Sequence, residues 1–113
     1  MKAKTKIPRP TKVRVFHVDY SITWSSKKKM GTTLGLFRQG AQKIEISTDQ
    51  GEQQAADSLH HEIIHAIRDA VGCCYTESDE VQTRAVNVGL ICARRDNPQV
   101  FAWIDQVFAG GAR

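Results

Sequence analysis

The first half of the chain alternates apolar and polar residues with the two-residue period of β-strands. Between Lys12 and Ile22, one side of the segment carries large apolar residues at every second position, namely Phe16, Val18, Tyr20 and Ile22. Two shorter segments of the same kind, Thr32–Phe37 and Gln42–Ser47, flank a turn at Arg38–Gly40 and predict a hairpin. The polar, basic stretch Ser25–Gly31 predicts a loop.

From about Gln50 to Val71 the apolar residues recur with the period of an α-helix. They form a single stripe made of Ala56, Leu59, Ile63, Ala66, Ile67 and Ala70. Thr48 or Asp49 is suited to cap the start of this helix, and Gly72 is suited to end it.

Two further helices are predicted after Gly72. The second starts near Thr76, where Thr-Glu-Ser-Asp resembles a capping box, and its expected buried stripe is Val81, Ala85, Val88 and Cys92. The third starts at Pro98 after an Asn97 cap, ends at Gly110-Gly111, and has the apolar residues Val100, Phe101, Ile104, Val107 and Phe108. Strands followed by helices predict an α+β fold, with a small antiparallel sheet of about three strands packed on three helices.

Composition fits a single soluble domain. The chain has 113 residues, of which 41% are hydrophobic and 25% charged, and none of its apolar runs approaches the length of a membrane span. Three cysteines, Cys73, Cys74 and Cys92, do not make a disulfide framework, so a cytoplasmic location is expected. We expect one domain over residues 12–113, preceded by a flexible basic tail over residues 1–11.

Charge is distributed unevenly along the chain. Residues 1–43 contain eleven Lys or Arg and one acid, whereas residues 44–113 contain five Lys or Arg and eleven acids. A basic half suits nucleic acid or an acidic partner. A solvated tail and a solvated loop at Lys27–Lys29 are the favoured interpretation, because no aromatic residues are interleaved with the tail lysines.

The motif that carries chemistry is His61-Glu62-Ile63-Ile64-His65, an H-E-x-x-H sequence inside the first predicted helix. Residues four apart lie one above the other on a helix, so both imidazoles can reach one Zn²⁺ ion. Glu62 borders the same face and can take a proton from water without being a ligand. The competing interpretation is a solvent-facing polar side of an amphipathic helix, opposite the Leu59, Ile63 and Ile67 stripe.

Catalytic zinc sites usually have three protein ligands, so a third is sought downstream. The second helix opens with acids, and two helices joined by a short connection are neighbours in space. Glu80 is the favoured third ligand and Glu77 the alternative, although acids at a helix start also compensate its dipole. Cys73 and Cys74 are alternative soft ligands, less favoured because vicinal cysteines seldom bind one ion together.

These features resemble a known group of proteins. The motif lies in the run Ala-Ala-Asp-Ser-Leu-His-His-Glu-Ile-Ile-His-Ala-Ile, a glutamate opens the next helix, and Gly89-Leu90 and Asp96-Asn97-Pro98 precede an apolar helix. Over residues 34–108 the pattern resembles small phage-encoded zinc metallopeptidase-like proteins, minimal gluzincins akin to the ImmA/IrrE and SprT-like groups. The resemblance implies a zincin-like fold with His61, His65 and Glu80 as ligands and Glu62 as general base. It also implies that Gln42–Ser47 is an edge strand that pairs with an extended substrate.

The expected activity is metal-assisted hydrolysis of a peptide or protein substrate, in the host cytoplasm if the protein is phage-encoded. Zn²⁺ lowers the pKa of its water to about 7, and Glu62 moves the proton to the leaving amine. Tyr75 is a weak candidate for oxyanion stabilisation. The alternatives are a metal-stabilised regulatory or binding module without turnover and a nucleic-acid-associated protein that uses the basic half.

Overall fold

Four strands and four helices make up the computed structural model, which describes residues 5–72 and 76–110. The strands are β1 (Lys12–Val15), β2 (Val18–Ser25), β3 (Gly35–Arg38) and β4 (Lys43–Ser47). The helices are α1 (Lys27–Met30), α2 (Glu52–Val71), α3 (Asp79–Asp96) and α4 (Pro98–Phe108). The predicted α+β class is confirmed. Cys73, Cys74, Tyr75 and Gly111, for which the sequence makes predictions, lie outside the described residues, as do residues 1–4 of the predicted tail.

The sheet differs from the predicted three antiparallel strands. Its order is β1-β2-β4-β3, with antiparallel outer pairs and a parallel central pair of β2 and β4. The predicted strand from Lys12 to Ile22 is two strands joined by a two-residue turn, at which Phe16 has a positive φ of 55°. Aromatic residues seldom adopt that conformation, so the sequence contains no recognisable turn signal. The β2–β4 pair is parallel because β3 lies outside β4 and the hairpin returns β4 beside β2.

The core lies between one face of the sheet and helices α2 and α4. The predicted α2 stripe is confirmed for Ala56, Leu59, Ile63, Ala66 and Ile67, which are fully buried, whereas its last member, Ala70, is half-buried. Trp103 and Phe101 of α4 complete the core, whereas Phe108 is exposed. Gly72 ends α2 in the left-handed conformation as predicted, but the N-cap of α2 is Gly51 and not Thr48 or Asp49.

Helix α3 is rotated relative to the prediction, which was wrong about its buried stripe. Val81 and Val88 are each 47% exposed, and the buried residues of α3 are Gly89 and Ala93. A Cβ atom on Gly89 would overlap Cγ2 of Ile67 and lie 3.0 Å from its Cγ1, so the Ile67 side chain of α2 packs directly on the α3 backbone at this glycine. The N-cap is Ser78, whose side chain accepts a hydrogen bond from the Val81 amide, two residues after the predicted Thr76.

Asn97 joins the helices to the sheet. It is 2% exposed, and its Oδ1 accepts a hydrogen bond from the Arg14 amide at 2.7 Å. Its Nδ2 donates to the carbonyl oxygens of Arg14 at 2.6 Å and Ala93 at 2.8 Å. Asn97 occupies the N-cap position before Pro98, as predicted, but its side chain bridges β1 and α3 and does not cap α4.

The segment before β1 contacts α4 and β2. The Ile7 amide donates to Gln106 Oε1 at 2.7 Å, and Gln106 Nε2 donates to the Thr5 carbonyl at 2.9 Å. Trp24 Nε1 donates to the Pro10 carbonyl at 2.9 Å. Thr5 to Pro10 are thus bonded to the folded domain. In the part of the chain that the structure describes, every helix is too short or too polar to cross a membrane.

Candidate metal centre

The two motif histidines lie one above the other in the middle of α2. Their Nε2 atoms are 3.1 Å apart, and the rings meet edge to face with centroids 4.8 Å apart. Two nitrogens bound to one tetrahedral Zn²⁺ at 2.0–2.1 Å would be roughly 3.3 Å apart. His61 is exposed and His65 is half-buried, so the pair is accessible from solvent. The pair therefore fits two ligand positions of a single zinc ion.

Glu62 is more deeply buried than the two motif histidines, His61 and His65. It is only 7% exposed, and burial raises the pKa of its carboxyl group, while the nearby His61 and His65 act in the opposite direction. A buried acid with a raised pKa is typical of groups that transfer protons in active sites.

The Glu62 carboxylate rests on the backbone of β3. A Cβ atom added to Gly35 would lie 3.1 Å from Glu62 Oε2 and 3.3 Å from its Cγ, so a glycine at this position allows the close approach. Sequence reasoning missed Gly35, although a glycine inside a strand segment is a known signal of close backbone approach.

The edge strand beside the motif helix is β3, not β4. The resemblance implied that Gln42–Ser47 forms the edge, but β4 lies between β2 and β3 in the sheet. Within residues 5–72 and 76–110, β3 pairs with β4 alone, so its other side is an edge next to Glu62. The side chain of Gln50 holds this edge against α2.

Gln50 makes three hydrogen bonds that fix β3, β4 and α2 together. Its Nε2 donates to the carbonyl oxygens of Leu34 at 3.0 Å and Ser47 at 2.8 Å. Its Oε1 accepts a hydrogen bond from Ser58 Oγ at 3.1 Å, one helical turn before Glu62. From the sequence, Gln50 was predicted only as the start of a helix. No local sequence pattern indicates that a side chain will bridge three elements.

The third ligand is not assembled among the described residues. They contain no group of three or more His, Cys, Asp or Glu side chains placed to hold one ion. Glu80 is exposed and lies nine residues before Gly89, the residue of α3 that contacts α2. At 100° per residue, this spacing places Glu80 on the side of α3 opposite Gly89. Of the first-turn acids of α3, Asp79 lines the groove between α2 and α3, together with Arg68. Glu80 stays a prediction, as does its alternative Glu77, which is also exposed.

His60, Trp24 and Trp103 make ring contacts at the core, whereas His17 is exposed. His60 stacks edge to face on Phe101 at 6.4 Å, and burial lowers its pKa, as expected for a histidine at the rim of the core. The rings of Trp24 and Trp103 pack edge to face with their centroids 5.5 Å apart. His17 is exposed in the turn between β1 and β2.

Comparisons of the chain with protein families, with characterised proteins and with solved structures gave no match. The case for a function therefore rests on the geometry of α2 and β3 and on the motif itself.

Proposed function

We propose that the protein is a zinc-dependent peptidase in which His61 and His65 hold the metal and Glu62 is the general base. The observation that carries the proposal is the 3.1 Å separation of the two Nε2 atoms on one face of α2. A bound zinc ion supplies a Lewis acid that polarises a carbonyl group and lowers the pKa of water. The cysteine content further supports a reducing compartment, the host cytoplasm if the chain is phage-encoded.

In this mechanism Glu62 accepts a proton from the attacking water and passes it to the amine that leaves. Its position beside Gly35 sets the carboxylate next to the edge of β3, where an extended peptide can hydrogen-bond to the strand. A peptide held along β3 would therefore present its main chain beside Glu62. This juxtaposition supports a peptide as the substrate, because only an extended chain makes use of a strand edge.

Zinc binding is the first test. The purified protein is expected to bind one Zn²⁺ per chain by elemental analysis and calorimetric titration. His61→Ala and His65→Ala should each weaken binding by roughly 100-fold or more, since each removes one of few ligands. His17→Ala removes an exposed histidine far from the motif along the chain, and should bind zinc like the wild type. Absence of zinc uptake by the wild type would refute the proposed site.

The third ligand is proposed to be a carboxylate in the first turn of α3. The sequence assigns Glu80, and Glu80→Ala is then expected to lower zinc affinity by at least about tenfold. Asp79→Ala tests the acid that lines the α2–α3 groove, and Glu77→Ala tests the other sequence candidate. A loss confined to Asp79→Ala would move the ligand to the groove. Unchanged affinity in all three variants would show that α3 does not contribute a ligand.

A further inference from the structure

Helix α3 has exposed apolar side chains on its outer side. Val81 and Val88 are each 47% exposed and Ile91 is 62% exposed. They lie on the side of α3 away from Gly89 and Ala93, which contact the core. Exposed apolar residues grouped on one face indicate a binding surface, whereas scattered ones do not.

The spacing on this outer face is that of a two-helix interface. Val81, Arg84, Val88, Ile91 and Arg95 follow one another at intervals of three, four, three and four residues. This is the a/d spacing of a coiled coil, in which two helices pack along a narrow seam. The face therefore fits another helix of the same periodicity, and α3 of a second copy has that periodicity.

Charges along the seam select the orientation of the second helix. In a parallel pair, Arg84 would face Arg84 and Arg95 would face Arg95, which repel each other. In an antiparallel pair, Val81 packs on the partner's Ile91, and the stem of Arg84 packs beside the partner's Val88. In the same register Arg95, which also donates two hydrogen bonds to Asp96, lies opposite Glu77 at the acidic start of the other helix.

We propose that the chain forms a homodimer through antiparallel packing of α3 on α3 of a second copy. Antiparallel helices also place opposite macrodipole ends together, which favours the same orientation. Each chain contributes three apolar side chains along the 18 residues of α3, so the interface is small. The dissociation constant of the dimer is therefore expected to be above about 1 μM. The proposal does not depend on zinc or on peptidase activity.

Sedimentation velocity from about 5 μM to about 500 μM tests the association. The wild type is expected to shift from monomer to dimer over this range. Ile91→Asp places a charge in the middle of the seam and should weaken association at least tenfold. Phe108→Asp changes an equally exposed apolar residue on α4 and should leave association unchanged. A wild type that stays monomeric at the highest concentration, or an Ile91→Asp variant that dimerises like it, overturns the proposal.

Disulfide trapping tests the orientation of the two helices. The native cysteines are first removed by the substitutions Cys73→Ser, Cys74→Ser and Cys92→Ala. Under mild oxidation, a mixture of the Val81→Cys and Ile91→Cys variants is expected to give a mixed disulfide dimer. Val81→Cys alone should give none, because the two copies of residue 81 are at opposite ends of the seam. Efficient crosslinking of Val81→Cys alone, without the mixed product, would show a parallel pair and contradict the antiparallel dimer.

Discussion

Gly89→Ala is expected to lower the free energy of unfolding by up to about 2 kcal/mol. Two effects oppose each other, since alanine in a helix gains about 1 kcal/mol over glycine. The new Cβ would overlap Cγ2 of Ile67, which is fully buried, and overpacking of a core costs about 1–3 kcal/mol. Overpacking wins because the overlapped methyl belongs to a fully buried, β-branched side chain with few allowed rotamers. Urea denaturation followed by circular dichroism measures the difference.

Two variants make this result specific to the helix contact. Gly40→Ala introduces a Cβ where no atom lies within 4 Å, and it should change stability by less than about 0.5 kcal/mol. In an Ile67→Ala background the steric conflict is removed, so Gly89→Ala should there become stabilising by up to about 1 kcal/mol. A destabilisation of equal size in both backgrounds would contradict contact between these two residues.

The local sequence pattern was sufficient to predict α2. Its buried apolar residues recur over about three turns, from Ala56 to Ile67, and face the same core, so the period identifies both the helix and its buried side. The motif inside α2 was also predictable, because residues four apart on a helix must lie close together. The 3.1 Å distance between the Nε2 atoms of His61 and His65 follows from that geometry.

The orientation of α3 was not predictable from its hydrophobic pattern. Val81 and Val88 have the larger apolar side chains, and the pattern assigned them to the core. The packing instead uses Gly89, which has no side chain and therefore no hydrophobic signal, because close approach of α2 contributes more contact than a valine at a distance. The prediction that Glu80 lies opposite His65 was made from the predicted stripe of Val81, Ala85 and Val88, and it stays a prediction.

The order of the strands in the sheet was also not predictable from local sequence patterns. The hairpin of β3 and β4 was predicted, but sequence alone does not say which of its strands pairs with β2. The Gln50 side chain hydrogen-bonds to the residue before β3, to the last residue of β4 and to Ser58 of α2. These bonds join segments that are separated along the sequence, so no local pattern predicts them. The edge beside Glu62 is therefore a property of the topology and was assigned to the wrong strand.

Glu62→Gln is expected to reduce peptide cleavage by at least about 100-fold, because general-base catalysis contributes typically 10²–10⁴ in rate. The amide keeps the size of the carboxylate, and it fits the same space beside Gly35. Zinc content and melting temperature should therefore stay close to those of the wild type. The measurement is the initial rate on a peptide library at neutral pH, enriched in acidic sequences because the chain has a net charge of +4.

A control substitution of another glutamate on α2 separates a catalytic role of Glu62 from a general effect of removing an acid from this helix. Glu52 lies in the first turn of the same helix and forms ion pairs with Lys6 and Arg9. The Glu52→Gln variant should cleave peptide at the wild-type rate. Equal cleavage by the wild type and by Glu62→Gln would mean that Glu62 is not the base or that the cleavage comes from a contaminant. If the zinc-loaded wild type cleaves no peptide, the buried carboxylate beside β3 has a structural role. The protein would then be a metal-stabilised binding module, in which the edge of β3 holds a partner chain without hydrolysing it.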